Sequence, residues 1–142
     1  MLLFPKKQQF TKSFTGIKLS SSVKVVQNHC FGQQALVAKT SGIITNFQIE
    51  AIRRFLRRKL KKKAQIFFRV FPFFNITKKP NDVRLGRGKG NPKYHACIVK
   101  KGSIILELRP FSNKNMTSIL KQAQYKLRLQ THISKQSSRW IF

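Results

Sequence analysis

The sequence predicts an α+β fold: two amphipathic helices packed on a largely antiparallel sheet, with a basic Gly-rich loop and an extended basic N-terminal arm. Three observations carry this reading. Apolar residues recur at helical spacing over 49–60 and 116–127. They alternate, or run together as in a buried strand, over 65–71, 94–100 and 103–108. Glycines at 86, 88 and 90 then break both periods. The length of 142 residues, 41% of them hydrophobic, suits one compact domain with its own core.

Taken in order, residues 1–22 are rich in Lys, Thr and Ser, with Phe4, Phe10 and Phe14 interleaved. They read as a basic arm that orders against a partner. Residues 23–38 hold short apolar pieces, consistent with one or two strands, and Gly42 closes this region. Thr45-Asn46-Phe47-Gln48 forms a capping box, in which the Thr cap and the Gln three residues later each satisfy an orphan amide. Ile49, Ile52, Leu56 and Leu60 follow as one apolar helical stripe. The other faces, and the residues just beyond, carry Arg53, Arg54, Arg57, Arg58, Lys59, Lys61, Lys62 and Lys63.

Residues 65–71 read as a strand, with Ile66, Phe68 and Val70 on one face and Phe67, Arg69 and Phe71 on the other. Pro72 ends it. Residues 75–92 are Pro-, Gly- and Lys-rich and read as a projecting loop. Residues 94–100 and 103–108 form two strands around Lys101-Gly102, which predicts a hairpin. Residues 112–115 offer N-cap candidates for a second helix with Met116, Ile119, Leu120, Ala123 and Leu127 on its apolar stripe. A short strand near 129–133 completes a single domain spanning 23–134, and 135–142 form a C-terminal tail.

The charge balance narrows function more than the fold does. Thirty Lys and Arg face three acids, for a net charge of +27. A free globular chain so charged repels itself, so a polyanion is expected to neutralise it. Nucleic acid is the commonest such partner and an anionic membrane surface is the rival. No apolar run approaches the roughly 18 residues of a spanning helix, so membrane insertion is not expected. Residues 1–4 are too short for a signal-peptide core before Pro5-Lys6-Lys7. Cys30 and Cys97, without a secretory signal, read as free thiols in a reducing compartment.

Catalysis lacks raw material. Glu50, Asp82 and Glu107 are the only acids, and Glu50 stands three and four residues before Arg53 and Arg54, where a local ion pair is the simplest role. A zinc site could be drawn from His29, Cys30, His95 and Cys97, but the spacing matches no common finger. Half-buried side chains are the simpler account, and no metal, cofactor or small-molecule substrate is expected. Gly86-Arg87-Gly88-Lys89-Gly90-Asn91-Pro92 is neither a Walker loop, since no Ser or Thr follows the Lys, nor a dinucleotide fingerprint. Closely spaced glycines let backbone amides approach a surface while Arg84, Arg87 and Lys89 supply charge, which suits phosphate contact with folded RNA.

Several blocks also resemble a known family. Gln48-Ile49-Glu50-Ala51-x-Arg53-Arg54, Arg69-Val70-Phe71-Pro72 and Lys79-Pro80-x-x-Val83-Arg84-x-Gly86-x-Gly88-Lys89-Gly90-Asn91 are similar, in order and interval, to the bacterial type of large-subunit ribosomal protein sixteen. Tyr94, Gly102, Glu107 and Ala123 match as well, and the resemblance covers roughly residues 1–134. It implies a hammerhead-like α+β fold and a structural role: binding large-subunit rRNA between the central protuberance and the tRNA cleft, joining late in assembly. It implies A-site tRNA and neighbouring large-subunit proteins as further partners. By position, Arg84, Gly86, Arg87, Gly88, Lys89, Gly90 and Asn91 would form the tRNA-proximal loop. Arg53, Arg54 and Arg57 would face rRNA, and Arg69 and Pro72 would set the base of the loop. With the remaining basic candidates, the expected rRNA contacts are Lys6, Lys7, Lys12, Arg53, Arg54, Arg57, Arg58, Lys61, Lys62, Arg69, Lys78 and Lys79. Lys93 and His95 depart from the family pattern. The family-like start without a leader, and the many Phe, Lys, Asn and Ile residues, point to a mitochondrial ribosome, with a plastid or bacterial one as the alternative. A general nucleic-acid-binding protein of an organelle and a cationic membrane-active protein are the rival classes.

Overall fold

The computed structural model describes residues 3–14, 28–84, 86, 88–111 and 116–136. Its elements run β1 (Gln34–Ala38), β2 (Gly42–Thr45), α1 (Asn46–Leu60), β3 (Ala64–Phe68), β4 (Phe74–Lys78), β5 (Asn91–Val99), β6 (Ile104–Pro110), α2 (Thr117–Gln124) and β7 (Thr131–Lys135). The α+β class is as expected, with every strand pairing antiparallel. The strands divide between two sheets, however: four strands in the order β3-β6-β1-β7, and three in the order β2-β5-β4.

That division overturns the expected hairpin at Lys101-Gly102. β5 and β6 follow each other in the chain but lie in different sheets. The reason is that each has better partners elsewhere. β6 sits between β1 and β3, with Leu36 opposite Leu106 and Phe67 opposite Glu107. β5 sits between β2 and β4, with Ile44 opposite Cys97 and Asn75 opposite His95. The connecting turn is fixed at the corner: Ser103 N–H donates to Lys100 C=O at 3.1 Å and Gly102 N–H to Ala38 C=O at 2.8 Å. Gly102 has φ +87°, a left-handed backbone that glycine adopts at little cost.

Further boundaries differ from expectation: the strand expected over 65–71 ends at Phe68 rather than just before Pro72, and the last strand runs Thr131–Lys135 rather than 129–133, reaching into the expected tail. β4 and the start of β5 occupy parts of the stretch expected to be a loop over 75–92, leaving 79–90 between them. β2 begins at Gly42, where the first strand region was expected to close. Both segments are short and polar at their edges, and they become strands because β5 offers ladder hydrogen bonds on both sides. Among residues 23–38, the described strand is β1.

The helices follow the sequence pattern closely at α1. Gln48 N–H donates to Thr45 Oγ1 at 3.3 Å and Thr45 N–H to Gln48 Oε1 at 2.9 Å, closing the capping box. Ile49, Ile52, Leu56 and Leu60 are all buried. The N-cap of α2 is Met116 rather than a polar residue from 112–115, which lie outside the described residues. Met116 makes no side-chain cap bond and is instead buried, so apolar anchorage starts this helix. Leu36, Ile44, Leu56, Leu106, Leu108 and Leu120 close one core between the helices and the sheets. Each such side chain contributes about 1.5–3 kcal/mol of transfer free energy. Ala35, Val37 and Ile104 form a smaller cluster of their own.

Candidate nucleic-acid interface

The basic surface grows out of α1. Its buried stripe forces Arg54, Arg57, Arg58 and Lys59 outward, and Lys61, Lys62 and Lys63 follow, all exposed. No acid lies in the first turn, whereas Arg57, Arg58 and Lys59 occupy the last, where cations complement the helix dipole. Lys61 and Lys62 then take φ +42° and +65°. The Lys61 N–H still reaches Arg57 C=O at 3.1 Å. Left-handed backbone costs a side-chain-bearing residue roughly 1–2 kcal/mol, so two lysines are held here where glycine would sit more easily.

Not every α1 cation is equally available. Arg53 donates to Glu50 at 2.8 and 2.7 Å, and Arg54 adds a bond at 2.9 Å. These arginines hold the Glu50 carboxyl down to about 2. The ion pair expected from the sequence spacing is present, and it engages Arg53 and Arg54. Arg57, Arg58, Lys61 and Lys62 line a groove of about 1250 Å³ between α1 and β3, with Phe31, Phe67 and Phe111 among its walls and no carboxylate.

A second basic region joins the arm to the Gly-rich loop. The arm was expected to order against a partner, yet residues 3–14 are bonded to β4 and the loop. Gln8 donates to Phe73 C=O at 2.9 Å, and Asn75 donates to Gln8 and to Thr11 C=O. Phe4 stacks on His95 with centroids 5.7 Å apart. At the loop, Lys12 Nζ donates to Lys89 C=O at 3.1 Å, while Lys89 Nζ donates to Ser13 C=O. Lys79 Nζ donates to Gly86 C=O at 2.6 Å, tying the two sides of the loop together.

The glycines differ in kind. Gly86 and Gly88 have φ +101° and +78°, and an added Cβ would meet nothing within 4 Å, so the backbone there is open to an incoming surface. At Gly90 a Cβ would lie 2.7 Å from the Lys78 carbonyl carbon, so this glycine lets the two strands approach. Lys6, Lys7, Lys78, Arg84 and Asn91 are exposed, whereas Arg87 lies outside the described residues.

Arg69 lies at neither basic region's open surface. Its guanidinium donates to Glu107 at 2.5 Å and stands 5.5 Å over the Phe31 ring. Glu107 is fully buried and also accepts N–H bonds from Cys30 at 3.2 Å, Phe31 at 2.7 Å and Gly32 at 2.7 Å. Burial pushes its carboxyl upward, but the amides of Phe31 and Gly32, followed by Arg69, outweigh this and hold it below the ordinary value. A Cβ on Gly32 would fall 2.7 Å from Leu108 C=O, so this clamp needs glycine there. Sequence reasoning missed it. The available signal was an acid inside the apolar run Ile104-Ile105-Leu106-Glu107-Leu108 of a chain with only three acids.

The metal-type ligands go separate ways. His29 bonds Gly32 C=O and Ser134 Oγ, His95 stacks on Phe4, and Cys97 is buried against Ile44 C=O. Burial pushes the Cys97 thiol up to about 11. Among the described residues no group of three or more His, Cys, Asp and Glu could hold a metal ion, and no helix is long and apolar enough to cross a membrane.

Comparison with known proteins gives the family. Residues 5–134 match the family model described as ribosomal protein L16p/L10e. The large ribosomal subunit protein uL16 of Thioalkalivibrio sulfidiphilus is 41% identical over 133 residues, covering 92% of this chain and 94% of its own. That of Blochmanniella pennsylvanica is 39% identical over 131 residues, covering 92% and 96%. The uL16c protein of Euglena longa is 40% identical over 132 residues, covering 93% and 97%. A basic α1 face, a glycine loop open to approach and this breadth of likeness lead to one conclusion: the chain belongs to the ribosomal protein L16p/L10e family.

Proposed function

We propose that this chain binds large-subunit rRNA, near the central protuberance and the A-site tRNA cleft, through two basic regions. The exposed end of α1 is one, and the arm with the Gly-rich loop is the other. As a member of the L16p/L10e family it is a structural constituent of the large subunit and not an enzyme. The observation that carries the rRNA reading is the α1 surface. Its arginines and lysines are forced outward by a buried apolar stripe, and Glu50 pairs with only two of them.

Phosphate contacts from Arg54, Arg57, Arg58, Lys61 and Lys62 position the protein on folded RNA, which is read by shape more than by base sequence. The loop from Arg84 to Asn91 reaches towards tRNA, with the open backbone of Gly86 and Gly88 letting it approach closely. Lys6, Lys7, Lys12, Lys78 and Lys79 add further phosphate contacts, with Lys12 and Lys79 bonded to the loop itself. Arg69 contributes by holding the clamp at Glu107 together. We assign the chain to a mitochondrial ribosome, with a plastid or bacterial one as the alternative.

Sedimentation of a mitochondrial lysate through sucrose at low and at moderate salt tests this. Co-migration with the large subunit and the monosome at both salt levels is expected. Migration with DNA or membranes would overturn it in favour of a general polyanion binder, and absence from mitochondria with presence in plastid or bacterial ribosomes would correct the compartment alone.

A further inference from the structure

From the groove between α1 and β3 we infer a receptor for a single unpaired nucleobase of the bound RNA. The inference rests on the RNA-binding reading and adds a site and a ligand class to it.

Three planar groups lie against one another. The Arg69 guanidinium, held by Glu107, lies 5.5 Å over the Phe31 ring. Phe31 in turn stacks on Phe67, with centroids 5.3 Å apart and an interplanar angle of 22°. Phe67 and Phe31 both line the groove. Stacked rings at a groove wall offer an aromatic surface to whatever enters. Phe31 remains 53% exposed and Phe111, also lining the groove, 65% exposed, which is costly in water for rings of this size.

The surroundings select the occupant. Arg57, Arg58, Lys61 and Lys62 line the groove, and no carboxylate does. An apolar peptide would fill the aromatic wall but leave these cations without anions. A double helix would meet the cations but keep its bases stacked internally and unable to reach Phe67. An extruded base with its own phosphates satisfies both requirements: the ring continues the aromatic stack and the flanking phosphates meet the basic rim. Gln65, which also lines the groove, adds a polar side chain able to bond a base edge. The volume of about 1250 Å³ leaves room for one nucleotide and its neighbours' backbone.

The test uses the full chain and two hairpin RNAs that share one stem. One is fully paired, and the other carries a single bulged fluorescent purine (2-aminopurine). The bulged RNA is expected to bind on the order of tenfold more tightly, with quenching of the purine as it stacks. Phe67→Leu should abolish both the preference and the quenching while leaving affinity for the paired RNA and the melting temperature near wild type. Phe67→Trp should retain them. Arg57→Ala should weaken both RNAs alike. Equal binding of the two RNAs by the wild-type chain, or a bulge preference that survives Phe67→Leu, would overturn the receptor while leaving RNA binding intact. Binding of neither RNA would instead overturn the proposed function.

Discussion

Arg69, just past the end of β3, donates a hydrogen bond to Glu107, a carboxylate in the middle of β6 that solvent does not reach. The same carboxylate gathers the amides of residues 30–32 just before β1. One side chain thus ties together three segments far apart in sequence, and charge repulsion elsewhere makes such an anchor more valuable.

Glu107→Gln removes the charge that Arg69 and the three amides share. Breaking a buried, hydrogen-bonded pair on one side costs about 3–5 kcal/mol, lessened here because Arg69 keeps some access to water. A loss of roughly 2–4 kcal/mol is expected from urea unfolding of the full chain. A shift below about 1 kcal/mol would show that the amides tolerate a neutral partner.

The same group sets an acid limit. Its folded value lies below the ordinary one, so its contribution is complete above the unfolded carboxylate value of about 4.3. That contribution is lost as pH falls through the folded value. Glu50, held to about 2 on the surface, follows the same sign with a smaller effect. Melting temperature should therefore fall on acidification below about pH 4, and Glu107→Gln should flatten that fall. An unchanged slope in the variant would assign the acid limit to other groups.

Lys62→Gly relieves a left-handed residue after α1 at φ +65°. Stability should rise by up to about 1 kcal/mol, and RNA affinity should fall because one of the proposed phosphate contacts is gone. The two effects have opposite signs, so calorimetry and a salt titration on one variant separate them. The log–log salt slope should shrink by roughly 0.7–0.9.

Replacing Arg87 and Lys89 together with Ala should impair tRNA-dependent steps more than assembly. Lys89 bonds the arm at Ser13, so a modest loosening of the arm is also expected. Purified subunits carrying the variant should be near normal in amount but slow in A-site tRNA binding. Equal loss of assembled subunits and of soluble protein would remove that distinction.

Much of this molecule could be read before its structure. The Thr45-Gln48 box, the α1 stripe and the alternation of Ile66, Phe68 and Val70 against Phe67 and Arg69 are local patterns, and local physics decides them. What escaped was set by pairing at a distance. β5 could form a hairpin with β6 by its turn, and only the availability of β2 and β4 decides otherwise. β4 lacks the apolar run of a strand, and its neighbour β5 makes it one. The Phe31–Phe67 stack joins a residue before β1 to one in β3, two segments that share no period. The basic residues of α1 were evident from composition, and the pairing of Glu50 with Arg53 and Arg54 was evident from their spacing on one helical turn.

The arm's docking has a consequence in time. Its partners on β4 and the loop lie 64 to 77 residues further along the chain. During synthesis, from the amino end onward, the arm emerges well before the surface that receives it exists. Contacts of such long sequence separation close late. For that interval Lys6, Lys7 and Lys12 belong to an untethered cationic strand, free to meet RNA first. The nascent chain can therefore be captured by its polyanion before the domain has finished folding, and the arm's final seat on β4 becomes a competition between two acceptors.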